Sequence, residues 1–158
     1  MKATVNWKQG LTFIGRADSG HVVQMDAGVS VGGNNSGVRP MEMIALGLAG
    51  CAAVDVISIL QKKRQDVTQF DVQVHADRSA DHPRVFTRAV ITFVVVGKSI
   101  EEDAVLRSIE LSATKYCPVH AMLEQAFPID MRYEIYEEHE NGETQLIYEG
   151  IFQNLFHE

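Results

Sequence analysis

The run from Met41 to Leu60 leaves this chain few ways to fold. It is mostly apolar and nearly long enough to cross a bilayer. It also carries Glu42 and Asp55, together with Gly47, Gly50 and Ser58, which reads as a buried core helix and not as a membrane span. Pro40 opens that helix, because proline is well tolerated at the first helical position. The helix is expected to reach about Gln65 and, being apolar on nearly every side, to be buried all round. Gly47 and Gly50 lower helix propensity, and close approach of another backbone is what such glycines gain.

Such a helix needs other elements to cover it. Before it, Thr4 to Trp7, Leu11 to Ile14 and His21 to Met25 predict three short strands. Gly10 and Asp18-Ser19-Gly20 are the turns between them. Gly28 to Arg39 is rich in Gly, Asn and Ser and reads as a loop. After the helix, Phe70 to Ala76 alternates apolar and polar residues as a half-buried strand does. Asp81-His82-Pro83 turns the chain into a second, more apolar strand from Phe86 to Val96. Ser99 and Glu102 suggest a capping box for a second helix. Val105, Ile109, Ser112 and Tyr116 are expected on one face of it. Pro118 stops it just after Cys117. A short helix from His120 to Ala126 and a strand through Met131, Tyr133 and Ile135 follow. Asn141-Gly142 signals a turn, with Thr144 to Tyr148 pairing back, and Ile151, Leu155 and Phe156 form an apolar tail.

This pattern is α+β, and 158 residues suffice for one domain with its own core. The net charge of −7 argues against nucleic-acid binding. So does the longest basic run, Lys62-Lys63-Arg64, which sits where cations complement a helix C-terminus. The N-terminus lacks the apolar core of a signal peptide, so a cytoplasmic protein is expected.

The chemistry rests on two cysteines. Cys51 lies within the long helix and Cys117 at the end of the second, against Pro118. Their separation excludes a CxxC redox motif and a zinc-ribbon spacing. One thiol could form a sulfenic acid that the other resolves. On composition alone, two inert buried thiols are the favoured reading. His120 follows Cys117 by one helical turn and could touch it. His21, His75, His82, His139 and His157 show no ligand spacing, and no metal site is expected.

Pro40-Met41-Glu42-Met43 leading to Ala49-Gly50-Cys51-Ala52-Ala53-Val54-Asp55-Val56 resembles the central-helix motif of the OsmC/Ohr family. Lys115-Tyr116-Cys117-Pro118-Val119 resembles its second motif. The resemblance covers about Trp7 to Ile135 and places the chain in the OsmC-like subgroup. It implies an OsmC-like fold, with antiparallel sheets around a buried central helix, in an intertwined homodimer. Residues 1–138 would be that domain and 139–158 a C-terminal extension packed on it or on the partner. The implied activity is thiol-dependent reduction of organic hydroperoxides. Cys51 would be the peroxidatic residue and Cys117 the resolving one. An external dithiol, typically on a lipoylated partner protein, would be the reductant, and no cofactor or membrane is implied.

Two departures from the family pattern stand out. The family's best-known hydroperoxidases have glutamate directly after the proline, where this chain has Met41. Glu42 comes one place later, on nearly the opposite helix face from Cys51. A first-turn acid that favours the helix dipole is the simpler role for it. Asp55 lies one turn after Cys51 on the same face and would repel a thiolate. It gains a use if an arginine bridges the two or if it orders a different substrate; the alternative is an acid paired to a partner-chain cation. The arginine that lowers the cysteine pKa in these enzymes matches Arg16 by position, with Arg39 the alternative. The competing readings are a non-catalytic dimer that binds a small apolar ligand and a thiol redox sensor.

Overall fold

The computed structural model describes residues 1–152. The chain divides after Leu46 into two compact units, each taken in turn. The apolar tail expected at Leu155 and Phe156 lies outside the described residues.

In the first unit, β1 (Ala3–Gln9), β2 (Thr12–Ala17) and β3 (Val22–Met25) form an antiparallel sheet in that order. Gly10 and Gly20 adopt positive φ in the two turns, a conformation glycine enters without steric cost. The loop that follows is pinned from within. The buried Asp26 carboxylate accepts bonds from the backbone N–H groups of Ala27 (2.7 Å), Asn34 (3.1 Å) and Ser36 (3.1 Å), and from the Ser36 hydroxyl (2.7 Å). These bonds hold its pKa down at about 2, the Ser36 hydroxyl contributing most.

The helix α1 (Pro40–Lys62) ends earlier than expected. Arg64 takes a left-handed conformation at φ 58°, and the Gln65 N–H reaches back to the Leu60 carbonyl at 3.1 Å. In the second unit, β4 (Asp66–Arg78), β5 (Phe86–Lys98), β6 (Ile129–Glu138) and β7 (Thr144–Phe152) form a sheet in that order. The pairs β4–β5 and β6–β7 are antiparallel. The pair β5–β6 is parallel, a departure from wholly antiparallel sheets. Between these two strands the chain passes through α2 (Glu102–Leu111) and α3 (Pro118–Leu123), the kind of long crossover a parallel pair needs.

Phe93, Ile91, Val95, Met131 and Ile135 from the sheet meet Val105 and Ile109 from α2 in one core. Leu48, Ala52, Val56 and Leu60 join them from α1. That four-residue spacing is a single helical stripe. In the single chain α1 is therefore not buried all round, because the core takes up one stripe only: Val54 is 68% exposed and Leu46 56%.

The expected capping box does not form. Ser99 sits at φ 52°, and its N–H binds the Glu137 carboxylate at 2.9 Å. The Glu102 carboxylate accepts instead from the Tyr133 hydroxyl at 2.6 Å. Glu101 is the N-cap of α2 and makes no side-chain cap.

Candidate functional site

Three of the residues singled out from the sequence converge. Cys51 and Asp55 project from α1 one turn apart, so helical geometry alone puts them side by side. Cys117 reaches them by a less regular route. After Leu111 the helix widens into a π-helical turn, Ser112–Tyr116, closed by a bond from the Cys117 N–H to the Ser112 carbonyl at 2.9 Å. The widening rotates the later side chains off the expected face. Ser112 is buried, whereas Tyr116 is 47% exposed. Cys117 then leaves the helical region (φ −79°, ψ 100°), as a residue before proline tends to. From there it caps α3: its Sγ accepts the His120 N–H at 3.3 Å.

The result is a cluster in which Cys51 Sγ, Cys117 Sγ and an Asp55 carboxylate oxygen all lie within 4.8 Å of one another. Both thiols are free. Cys117 is buried and Cys51 half-buried. The Ser112 hydroxyl donates to Asp55 Oδ2 at 3.2 Å and so ties the π-helical turn to α1. The Cys117 pKa is pushed up to about 12. Burial is the main cause, followed by its hydrogen bond to Cys51, while the negative charges of Cys51 and Asp55 act in the same direction; the His120 N–H opposes them. Cys117 thus holds its proton well above neutral pH.

The other expected residues are placed differently. Arg16 lies exposed on β2 in the first unit, opposite Thr4 and Val22. It lines an open depression of about 350 Å³ with Ala3, His21 and Met25. Glu42 is taken by Arg39. Its carboxylate accepts the Arg39 backbone N–H at 2.9 Å and pairs with the Arg39 guanidinium at 2.5 Å, which holds its pKa below the usual carboxylate value. That is half of a capping box at the start of α1. Arg39 also donates to Asn35 at 3.0 Å. His120 Nδ1 lies 3.6 Å from a Glu124 carboxylate oxygen, and the His120 backbone N–H serves Cys117.

Sequence reasoning missed Ser112 as a member of the site. The available signal was a hydroxyl at a core position of an amphipathic helix, where a buried polar group requires a partner.

Residues 33–132 match the family model described as OsmC-like protein. Protein YhfA of Escherichia coli strain K12 is 44% identical over 138 residues, covering 85% of this chain and 98% of that protein. A hypothetical protein from Aquifex aeolicus shares the fold with a TM-score of 0.76 at 28% identity, over 87% of this chain and 97% of the other. A Legionella pneumophila structure described as an organic hydroperoxide resistance protein OsmC aligns with a TM-score of 0.61 at 10% identity, over 85% and 94% of the two chains.

Proposed function

The chain belongs to the OsmC-like protein family, and on that premise we propose that it reduces organic hydroperoxides through Cys51 and Cys117. The observation that carries this reading is the approach of two free thiols, from elements far apart in sequence, to within 4.8 Å.

In this scheme the half-buried Cys51 is the nucleophile. Its thiolate attacks the outer peroxide oxygen, the O–O bond breaks, and the alkoxide leaves and is protonated to the alcohol. Cys51 is then a sulfenic acid. Cys117 then gives up its proton to the departing hydroxide, which leaves as water, as its sulfur attacks that of Cys51, and a Cys51–Cys117 disulfide remains. A dithiol reductant, such as a lipoylated protein, restores both thiols by exchange. The apolar residues of α1 around Cys51 favour a substrate with an organic tail over hydrogen peroxide. The naming of the Legionella relative as a hydroperoxide resistance protein agrees with this chemistry.

The working unit in this proposal is a homodimer in the cytoplasm. A second copy would cover exposed apolar residues of α1 such as Val54, which is 68% exposed in the second unit.

Peroxide consumption with excess dithiol, followed beside peptide mapping of the oxidised protein, tests the reading. Multiple turnovers and a Cys51–Cys117 disulfide are expected. Cys51→Ser abolishes turnover, and Cys117→Ser permits one oxidation without efficient recycling. Full activity in Cys51→Ser removes the mechanism.

Asp55 favours a second reading, a non-catalytic ligand-binding protein or redox sensor. Its carboxylate adds negative charge beside the sulfurs, and it accepts a hydrogen bond from the Ser112 hydroxyl. Reversible oxidation without turnover would select this reading, with ligand stabilisation separating a binder from a sensor.

A further inference from the structure

We infer that Cys51, Cys117 and Asp55 form a coordination site for a thiophilic divalent cation, zinc above all. The three ligand atoms already lie within 4.8 Å of one another. A tetrahedral zinc with Zn–S near 2.3 Å and Zn–O near 2.1 Å sets its ligands roughly 3.5–3.8 Å apart, so an inward shift of about 1 Å completes the triangle. Two sulfurs with one carboxylate suit zinc and exclude calcium and magnesium, which take oxygen ligands.

Two further features fit a coordination site. Ser112 binds Asp55 Oδ2, which orients the carboxylate and leaves Oδ1 for the metal. The His120 N–H fixes the Cys117 sulfur. These are the outer bonds that hold ligands in place at metal centres. The three donors supply three of four tetrahedral positions, and the half-buried Cys51 side leaves the fourth to water. On binding, the thiols enter as thiolates, and their protons pass to solvent. A divalent cation also answers the repulsion that two sulfurs and a carboxylate impose on one another. The sequence hid this set because one ligand pair is local and the third arrives from a different element.

The inference rests on the cluster's geometry and not on peroxide turnover. Metal and disulfide nevertheless exclude each other, since both use the same two sulfurs.

Cobalt(II) titration of the reduced full-length protein tests it, because cobalt reports thiolate ligation by a charge-transfer absorption band. The expected result is one cobalt per chain, with a band that zinc bleaches stoichiometrically. Asp55→Asn weakens binding at least about tenfold, and Ser112→Ala, which removes only the orienting hydroxyl, weakens it roughly tenfold. Cys51→Ser and Cys117→Ser each diminish the band. Absence of the band in the reduced wild type overturns the inference. So does equal affinity in Asp55→Asn and wild type, or cobalt binding unchanged in both serine variants, which would place the metal on surface histidines. Circular dichroism checks that each variant is folded. Peroxide turnover is assayed separately in chelator-treated buffer: turnover without a cobalt band strikes this inference alone, and a cobalt band without turnover strikes the peroxidase proposal alone.

Discussion

Ser112 and Asp55, fifty-seven positions apart in the chain, meet through a hydrogen bond of 3.2 Å. Ser112 opens the π-helical turn that delivers Cys117, and Asp55 follows Cys51 by one turn of α1. This bond therefore joins the two elements that carry the thiols. Removing it with Ser112→Ala is expected to destabilise the fold by about 1–3 kcal/mol, since it strips a partner from a half-buried carboxylate. It should also slow disulfide formation more than the first oxidation of Cys51. Denaturant unfolding and single-turnover kinetics check the two effects.

Burial and a raised pKa make Cys117 slow to react, whereas Cys51 is half-buried. At pH 8 an alkylating agent should label Cys51 well before Cys117, as peptide mass spectrometry would show. The same shift sets an alkaline limit on stability. Because the folded-state pKa stands above the ordinary thiol value of 9.0, the contribution is complete below pH 9 and fades as pH rises toward about 12. Cys117→Ala should flatten that alkaline decline. An equally steep decline in the variant would show that another group causes it.

Asp26 works in the opposite direction. Its pKa lies at about 2 against an ordinary 3.8, so its contribution is present above about pH 4 and is lost as pH falls through 2. Asp26→Asn should lower the Tm at neutral pH, and the gap from wild type should narrow steadily below pH 4. A gap that stayed constant down to pH 2 would mean that the charge of Asp26 is not what holds the loop.

Leu60 and Val54 separate the core of the chain from the surface assigned to a second copy. Leu60 is fully buried, and Leu60→Ala should cost about 2–5 kcal/mol. Val54 is 68% exposed in the single chain, where truncation to alanine costs no more than about 0.5 kcal/mol. If a second copy covers α1, Val54→Asp should instead shift the protein to monomer in analytical ultracentrifugation and make stability depend on concentration. Sedimentation of wild type as a monomer at micromolar concentration would remove the dimer from the proposal.

Local pattern settled much of this protein. The alternation of β4, the apolar run of β5, the turn at Asn141-Gly142 and the proline at the start of α1 are each set by near neighbours in the chain, and each element stands where its residues put it. The adjacency of Cys51 and Asp55 was legible for the same reason, since four residues make one helical turn. Glu42 shows the limit of such reasoning: its place in the first turn was readable, but its bonds to Arg39 depend on how the preceding loop enters the helix.

Tertiary structure decided the rest, because it depends on contacts between residues that the sequence does not pair. Ser99 and Glu102 carry the residue types of a capping box, yet Glu137 and Tyr133 from β6 claim their polar groups instead. The face of α2 was periodic only up to Ser112, where a π-helical turn broke the period and turned Tyr116 outward. That same turn, with the extended residue before Pro118, carries Cys117 to Cys51. Near neighbours in the chain were enough to put Cys51 within a long helix and Cys117 beside the proline that ends another, in an α+β chain. Only the packing of α2 and its π-helical turn against α1 made them, with Asp55, one site.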